Sequence, residues 1–542
     1  MYTRIRFILL IANLFWLTAC SKDHVPSISI QPNVISVPAE GGNVSVQIHS
    51  NTTWTLSDIP DYIHPSSMSG KGDHEITFRV GNHVSHQTRN ANITITATDV
   101  TTPLVFSIQQ QPYAGNTPPS QPVLIAPVHM STDVDPIVVF SWEPCSDVND
   151  DEVTYLLYYR QQGRNFDVVV CGPNTHISIA RPLIKESVYE WYVVALDGYD
   201  FVQSEVFQFS TSSTYYYSEE EVRPLLLNRP VHGVNLVFLC DGFIVDDLKK
   251  GGACDQAVEE ALGHFFDIEP YRSYKEFFNA YVVYSFSAER GASYGAENTL
   301  KNTSFQVTCD KNSRTSTAMS SDSGKVFRYA KKAPIGPINE TLIIVISQDT
   351  RYAGTCYFWG STDDWGGGKA IALTTMSKNS YPYDFRGTVQ HEAGGHGFAK
   401  LADEYIDDRT AQSSNRNDVA NRYTYYGHYA NVDTTSNLTT IRWKEFIGLP
   451  RYESVNAFEG GYYFSTGVWR PEVTSCMINN IAYYNAPSRC AIVKRIKKIA
   501  REEFLFEEFL AKDVDTKPVF ATLPPVKSQE QLYLAPPVFI KE

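Results

Sequence analysis

The sequence predicts a multidomain protein in which two all-β sandwich domains precede a larger α/β domain. Three observations lead to this prediction. The length of 542 residues exceeds that of a single domain. Segments that alternate apolar and polar residues fill roughly the first 200 positions. After about residue 213, continuous apolar runs, typical of strands buried on both faces of a sheet, are interspersed with segments of helical spacing.

The composition allows several hydrophobic cores and argues against one class of partner. Hydrophobic residues make up 43% of the chain, and the formal net charge is −14. Because nucleic-acid-binding proteins need a basic surface, this charge argues against a nucleic-acid partner.

The N-terminus reads as an export signal. Arg4 and Arg6 precede an apolar run over residues 7–17, and Leu-Thr-Ala-Cys at 17–20 resembles a lipobox. We therefore expect a lipoprotein signal peptide at residues 1–20, with an ordinary secretory peptide as the alternative. The protein would be an exported outer-membrane or cell-surface lipoprotein of a Gram-negative bacterium, with membrane contact only through a lipid anchor at Cys20.

Residues 26–112 form the first predicted sandwich. Its strand candidates are residues 27–31, 43–49, 74–80, 92–98 and 104–109. Trp54 after a polar turn, Arg89 before a strand, and a last strand ending in Ile-Gln-Gln-Gln resemble a BACON domain. That family implies either glycan binding or a spacer, and no cluster of exposed aromatic residues for sugar stacking is evident.

Residues 118–212 form the second predicted sandwich, after a proline-rich linker at 116–122. Phe140-Ser141-Trp142, the aromatic run at 155–159 and the segment 189–195 resemble a fibronectin type III domain. We expect Trp142 and Trp191 to be core residues.

Residues 213–515 form the predicted α/β domain. Its strand candidates are 234–240, 277–286, 342–347 and 369–374, and its helix candidates are 246–266, 383–396 and 492–510. Residues 516–542 form a predicted C-terminal tail, proline-rich and poorly ordered after Val519.

Eight cysteines follow Cys20, an even number that permits disulfides in an exported chain. Sequence alone does not fix the connectivity. Pairing neighbours would give Cys145–Cys171, Cys240–Cys254, Cys309–Cys356 and Cys476–Cys490. Because no C-x-x-C spacing occurs, a cysteine-bound zinc ion is not expected.

The segment 388–405 carries the candidate chemistry. It contains His391, Glu392, His396, Asp403 and Glu404. Neutral imidazole is a common zinc ligand, and carboxylate is a common third ligand. A glutamate directly after the first histidine is where zinc peptidases keep the base that activates water.

The spacing of the two histidines differs from the standard H-E-x-x-H. His391 and His396 are five residues apart, which on an ideal α-helix turns the second ring about 140° away from the first. A kink at Gly394-Gly395 or a π-bulge would correct this. The motif resembles the H-E-x-x-x-H of dipeptidyl peptidase III. The alternative is a glycine-rich helix with two unrelated histidines.

The third ligand is either Asp403 or Glu404. A straight helix would place Asp403 about 10 Å along the axis from His396, too far for one metal ion. The chain must therefore turn, and Gly397 is a candidate for the start of the turn. The other carboxylate would orient a ligand or hold the turn.

Residues 225–510 resemble the IgA-peptidase-type zinc metallopeptidases. The segments that carry the resemblance are 237–243, 269–271, 289–293, 391–405 and 469–471. The resemblance implies a zincin-like metallopeptidase domain, bound zinc (Zn2+) and peptide-bond hydrolysis. Carried over by position, His391 and His396 would be ligands and Glu392 the general base.

Two further segments are candidates for supporting roles. Residues 475–478, Ser-Cys-Met-Ile, resemble the methionine turn of metzincin-like enzymes, although core packing explains a methionine equally well. Tyr483 or Tyr484 is a candidate phenol for the oxyanion.

The sequence thus predicts an exported zinc endopeptidase acting on protein or glycoprotein, with Zn2+ held by His391, His396 and Asp403. One alternative is a glycan- or glycoprotein-binding surface protein on an inactive peptidase scaffold. Another is a metal-dependent hydrolase of a non-peptide bond.

Overall fold

The computed structural model describes residues 25–84, 87–295, 297–309, 318–517 and 532–542. They form two compact units. The first contains the described residues up to His129, with Phe140–Ile177 and Tyr189–Gln208; the second contains Met130–Val139, Ser178–Val188 and the described residues from Phe209 onward. The predicted signal peptide, including Cys20, lies outside the described residues. Within the described ranges, every helix is too short or too polar to span a membrane.

A β-sandwich begins the first unit. Its strands are β1 (Ile28–Gln31), β2 (Val34–Val37), β3 (Gly42–Ser50), β4 (Thr53–Ser57), β5 (Ile63–Pro65), β6 (Ser69–Lys71), β7 (His74–Val80), β8 (Arg89–Ala97) and β9 (Leu104–Gln110). They form one sheet in the order β1-β3-β7-β5 and another in the order β2-β9-β8-β4-β6. Alternate residues face a core that includes Trp54, Phe78 and Phe106. All five predicted strands exist; β2, β4, β5 and β6 were not predicted.

Nine strands follow: β10 (Leu124–Ala126), β11 (Ser131–Val134), β12 (Val139–Trp142), β13 (Thr154–Gln161), β14 (Asp167–Gly172), β15 (His176–Ser178), β16 (Val188–Leu196), β17 (Phe201–Gln203) and β18 (Phe207–Thr211). In the first unit, β13 pairs antiparallel with β14 and β16, and β16 with β17. In the second unit, β11 and β18 pair in parallel. Trp142 and Trp191 are buried, as predicted. The fibronectin type III resemblance and the limits 118–212 stay predictions.

The second unit is built on a seven-stranded mixed sheet. From residue 213 onward this unit has the strands β19 (Val222–Leu227), β20 (Val234–Asp241), β21 (Phe278–Val283), β22 (Ser293–Tyr294), β23 (Thr308–Cys309), β24 (Met319–Ser320), β25 (Thr341–Ser347), β26 (Gly354–Gly360), β27 (Ala370–Thr375), β28 (Phe458–Gly461), β29 (Phe464–Arg470) and β30 (Val538–Lys541). The large sheet has the order β19-β21-β20-β25-β27-β26-β30. Strands β21, β20, β25 and β27 are parallel, whereas β26 runs antiparallel to β27. The predicted strands 234–240, 342–347 and 369–374 match β20, β25 and β27.

Helices cover both faces of this sheet. They are α1 (Ala253–Phe266), α2 (Ser323–Ala330), α3 (Phe385–Thr388) with a π-helix (Val389–Phe398) directly after it, α4 (Asp408–Ala411), α5 (Asn417–Tyr426), α6 (Cys476–Asn479), α7 (Ala486–Ala500) and α8 (Phe506–Lys512). Leu236 and Phe238 of β20 face the cluster that contains α1, the π-helix and α7, whereas Val237 and Leu239 face the other cluster. A strand buried on both faces explains the continuous apolar run.

Two predicted helices were wrong in extent. The candidate 246–266 is helical only from Ala253, because the first part forms a single 3₁₀ turn at Val245–Leu248 and Gly251 then takes a φ of 74°. The candidate 492–510 is two helices, α7 and α8. Arg501 separates them with a left-handed φ of 58°, which ends an α-helix.

The predicted disorder of the tail was wrong for its last residues. Strand β30 pairs in parallel with β26 and extends the large sheet. Residues 518–531 lie outside the described residues, so the prediction is not tested there. The composition, rich in proline before Val538, gave no indication of this strand.

The four predicted disulfides were also wrong, because all eight described cysteines are free thiols. Cys309 and Cys356 contribute to clusters on opposite faces of the large sheet. The Cys240 sulfur lies 4.0 Å from the backbone oxygen of Cys254 instead of being bonded to its sulfur. Proximity along the sequence therefore does not indicate pairing here.

Candidate metal centre

The motif helix begins with a cap and then widens. The side chain of Asp384 accepts a hydrogen bond from the backbone N–H of Gly387 at 2.9 Å, which caps α3. From Val389 to Phe398 the backbone is π-helical. Backbone hydrogen bonds in a π-helix join residues five apart, so His391 and His396 lie one turn apart on one face. This geometry accommodates the extra residue between the histidines.

Glycines allow close packing against the π-helix. A Cβ atom on Gly394 would lie 2.5 Å from the hydroxyl oxygen of Tyr484, and one on Gly395 would overlap the sulfur of Met477. Met477 is fully buried. The segment predicted as a methionine turn therefore lies directly against the motif helix, under the histidines.

Three predicted ligand residues meet at one point. The Nε2 atoms of His391 and His396 are 3.0 Å apart. Oδ1 of Asp403 lies 3.0 Å from the first nitrogen and 3.3 Å from the second. All three side chains are at least 98% buried. Among the described residues they form the only group of three or more His, Cys, Asp or Glu side chains that could hold a metal ion.

The hydrogen bonds of the two histidines determine their tautomers. Nδ1 of His391 lies 3.1 Å from the carbonyl oxygen of Cys476, and Nδ1 of His396 lies 2.8 Å from that of Leu401. A carbonyl can only accept, so each Nδ1 carries a hydrogen that it donates. Each neutral ring then presents a bare lone pair at Nε2. Two lone pairs face each other and the Asp403 carboxylate, an arrangement that a bound cation would stabilise.

The chain returns to the histidines through a turn at Lys400. This residue has a φ of 56°, the left-handed conformation that ends many helices. The turn thus occurs at Lys400, three residues after the predicted Gly397. It places Asp403 beside both histidines.

Asp403 is oriented by a tyrosine hydroxyl. Tyr463 donates to Oδ2 of Asp403 at 2.6 Å, and among the described residues Oδ1 has no hydrogen-bond partner. Burial opposes ionisation of Asp403, but His396 and His391, when protonated, hold its pKa below the usual range. Tyr463 itself has a φ of 72°, an uncommon conformation for a tyrosine. One oxygen is therefore fixed and the other is free to bind a cation.

Glu404 points away from the three ligands. Its carboxylate accepts hydrogen bonds from Asn431 at 2.7 Å, Ser475 at 2.7 Å and Asn485 at 2.8 and 2.9 Å. Burial raises its pKa to about 7, against these hydrogen bonds, which lower it. Of the two alternatives for the third ligand, the structure brings Asp403 to the histidines and uses Glu404 to tie together the surrounding loops.

Glu392 is fully buried beside the centre. Burial raises the pKa of Glu392 to about 8, and the nearby Asp403 carboxylate adds to the rise. His391 and, least of all, the backbone N–H of Cys356 lower this pKa. Neither carboxylate oxygen makes a hydrogen bond of acceptable geometry. A buried carboxylate without partners is costly unless it has a chemical role.

The two tyrosines predicted as oxyanion donors are engaged elsewhere. Tyr483 donates to the Glu472 carboxylate at 3.0 to 3.1 Å, and Tyr484 donates to the backbone oxygen of Gln390. Both side chains are fully buried. The structure therefore gives no support to the predicted role.

Several residues at the site were not predicted from the sequence. Tyr463 orients Asp403, and Asn431 holds the Asp403 loop by accepting from the Ala402 N–H and donating to the Ala402 carbonyl, both at 2.8 Å. These partners lie 60 and 29 residues from the groups that they bind. No local motif marks them.

Comparison with known proteins identifies the segment that carries the site. The profile of the family described as IgA Peptidase M64 matches residues 228–451. This range includes β20, the π-helix and the segment 391–404 with the predicted ligands and base. No curated protein matches the chain significantly.

Solved structures match short parts of the chain at low similarity. Titin domains A168-A170 are 12% identical, covering 35% of this chain and 67% of that chain, with a TM-score of 0.19. Chicken CNTN1 domains FN1-FN3 are 14% identical, covering 37% and 70%, with a TM-score of 0.15. A Bacteroides ovatus GH5 xyloglucanase in complex with a XXXG heptasaccharide is 15% identical, with a TM-score of 0.15. The match covers 20% of this chain and 27% of the xyloglucanase chain, so this chain spans about a quarter of the length of that protein. These TM-scores are too low to carry an argument.

The family match and the three converging side chains occur in the same part of the chain. Residues 228–451 are therefore similar to the IgA peptidase M64 family, and in this part of the chain the similarity is to a metallopeptidase.

Proposed function

We propose that this protein is an exported, zinc-dependent endopeptidase that hydrolyses peptide bonds of protein or glycoprotein substrates. One observation carries the proposal. His391 and His396 each donate from Nδ1 to a backbone carbonyl, so their Nε2 lone pairs converge on Oδ1 of Asp403, a buried oxygen without a partner. The similarity of residues 228–451 to a metallopeptidase family supports the same conclusion.

The three ligand atoms suit zinc. Atoms that lie about 2.0–2.1 Å from a tetrahedral zinc ion are about 3.3 Å from one another. The observed separations are 3.0, 3.0 and 3.3 Å. Two imidazoles and one carboxylate also match the ligand types of catalytic zinc sites. When bound, zinc supplies a Lewis acid that polarises the scissile carbonyl and makes water a better nucleophile.

Glu392 serves as the general base in this proposal. Its carboxylate takes a proton from the attacking water and passes it to the leaving amine. In the metal-free protein burial raises the pKa of this carboxyl to about 8; a bound cation would counter the rise and keep the carboxylate ionised, as a base must be. Among the described residues neither of its oxygens has a hydrogen-bond partner, so both can accept that proton. Tyr463 and Asn431 would keep Asp403 in position while the reaction proceeds.

The test combines metal analysis with cleavage of fluorescently labelled, denatured casein. We expect one zinc ion per chain in the wild type, and loss of zinc in His391→Ala. Glu392→Gln should keep zinc and lose cleavage, because the amide cannot accept the proton. Glu260→Gln, an exposed change outside the site, is the matched control and should retain both. Full activity in Glu392→Gln would refute the assignment of Glu392 as the base. A wild-type protein without bound zinc would refute the proposed zinc dependence.

Zinc binding without cleavage of any protein would instead favour the binding-protein alternative. Cleavage of a non-peptide amide but of no polypeptide would favour the second alternative. A screen that includes both substrate classes separates these outcomes.

Export and lipid anchoring at Cys20 are part of the proposal and are supported by the sequence pattern of residues 1–20. Membrane fractionation of the wild type and Cys20→Ala tests them. We expect the wild type in the membrane fraction and the variant in the soluble exported fraction; the same distribution for both would contradict the anchor.

A further inference from the structure

The candidate centre is closed to a polypeptide. His391 is 1% exposed, and Glu392, His396 and Asp403 are 0% exposed. A peptide bond must approach these atoms to be cleaved, so part of the covering structure has to move. We propose that residues 532–541, here called the strap, cover the site by occupying the edge of β26, and that a polypeptide substrate enters by replacing the strap along this edge. This inference rests on the proposed function.

The strap completes the large sheet at its last position. Val538, Phe539 and Ile540 pair in parallel with Tyr357, Phe358 and Trp359. Without β30, strand β26 would be the edge of the sheet. An edge strand presents unpaired backbone groups that bind an extended peptide by adding a strand. The strap therefore takes the position that an extended substrate would need.

The covered edge lies next to the proposed base. A Cβ atom on Gly354, the first residue of β26, would lie 2.8 Å from Cγ and 3.0 Å from Oε1 of Glu392. The pairing of β26 with β30 is parallel and begins at Tyr357 and Val538, so the strap residues before Val538 lie toward the Gly354 end of β26. Two of them, Leu534 and Ala535, are 2% and 4% exposed. The buried part of the strap thus lies on the side of Val538 that is toward Gly354.

A second set of contacts joins the strap to the metal ligand Asp403. The ring of Tyr533 stacks on that of Tyr405 with centroids 4.3 Å apart. The hydroxyl of Tyr405 donates to the backbone oxygen of Leu534 at 3.1 Å. Tyr405 also contacts Tyr463, with ring centroids 5.4 Å apart, and Tyr463 donates to Asp403. A backbone carbonyl of the strap is therefore held on a hydroxyl two side chains from the metal site.

The strap is anchored beyond the site and is only partly buried. The guanidinium of Arg422 lies 3.6 Å from the centroid of the Phe539 ring, and Lys369 forms an ion pair with Glu542. Val538 is 38% exposed, whereas every residue of the central strand β20 is buried. Strands at the edge of a sheet open locally at lower free-energy cost than the central strands. The strap would therefore detach before the central strands unfold.

The first test locks the strap to the sheet. The double variant Tyr357→Cys/Val538→Cys places two thiols on paired residues of β26 and β30. Oxidation should abolish cleavage of labelled casein, and reduction with a phosphine should restore it, with zinc content equal in both forms. Zinc-dependent cleavage that is equally fast in the oxidised and reduced forms would refute the inference that the strap must detach. It would leave the proposed function intact.

The second test loosens the strap and does not depend on activity alone. Tyr533→Ala removes the ring stacked on Tyr405, so we expect cleavage to rise about threefold to tenfold, the range that an aromatic pair contributes. Amide hydrogen exchange in β30 should accelerate by a similar factor, while exchange in β20 stays unchanged. Tyr215→Ala is the matched control, since Tyr215 contacts Glu221 and Tyr217 instead.

Exchange decides the inference even if no substrate is cleaved. Faster amide exchange of β30 in Tyr533→Ala but not in Tyr215→Ala would support the inference that the strap opens. If no form cleaved any protein, the proposed function would be refuted while this inference stood. Exchange of β30 as slow as that of β20, and unchanged by Tyr533→Ala, would overturn the strap.

Discussion

The change Tyr463→Phe tests whether the centre depends on the orientation of Asp403. The hydroxyl of Tyr463 donates to Oδ2 of Asp403 at 2.6 Å, and Asp403 is 0% exposed. A hydrogen bond to a charged group is worth about 1.5–3 kcal/mol. Since loss of a group that orients a metal ligand weakens metal binding, we expect zinc affinity to fall about 10-fold to 100-fold.

The assay is competition for zinc against a chromogenic chelator of known affinity, with unfolding by urea measured in parallel. Tyr483→Phe is the matched control, because Tyr483 is also a buried phenol that donates to a carboxylate, Glu472, outside the metal centre. Both variants should lose stability, but only Tyr463→Phe should lose zinc affinity. Equal zinc affinity in Tyr463→Phe and the wild type would refute the reasoning.

Three further predictions follow from the same geometry. Gly395→Ala should destabilise the protein by about 1–3 kcal/mol in urea unfolding, because the new methyl overlaps a methionine sulfur. Gly263→Ala is the control and should not destabilise the protein, because its methyl meets no atom within 4 Å. An equal loss of stability in both variants would contradict the close packing at Gly395. In the metal-free protein, burial raises the pKa of Glu392 to about 8, so the folded state binds an extra proton, and stability falls as pH rises from about 4.5 to 8, by on the order of 5 kcal/mol. Urea unfolding at several pH values should show this fall in the wild type and a flatter profile in Glu392→Gln; identical profiles would contradict the burial argument. Asp403→Ala should lose zinc whereas Glu404→Gln keeps it, as measured by metal content, and the reverse result would exchange their roles.

The sequence predicted those parts of the fold that depend on local pattern. The strand β20 was predictable because a strand buried on both faces must be apolar throughout. The motif helix was predictable from residue types, and the extra residue between His391 and His396 predicted either a kink at Gly394-Gly395 or a π-bulge, of which the structure has the π-helical form. The sequence favoured Asp403 over Glu404 as the third ligand but left Glu404 open, because both follow the same turn and only distant partners separate them.

The remaining features depend on contacts between residues far apart in the chain. Asn431, Ser475 and Asn485 hold Glu404 away from the metal centre, and each comes from a different segment. Strand β30 forms because β26 offers an open edge, a property of the assembled sheet and not of the tail. The disulfide prediction failed for a related reason: sequence spacing does not show on which face of a sheet a thiol lies.

X-ray absorption spectroscopy at the zinc edge tests the central claim most directly. We predict one zinc ion bound only by nitrogen and oxygen, with two imidazole nitrogens at about 2.0–2.1 Å and a carboxylate oxygen at a similar distance. The part of the chain that the structure describes also contains eight free thiols that would compete for the metal if the site were elsewhere. A sulfur ligand at about 2.3 Å, or a spectrum unchanged by His396→Ala, would contradict the account.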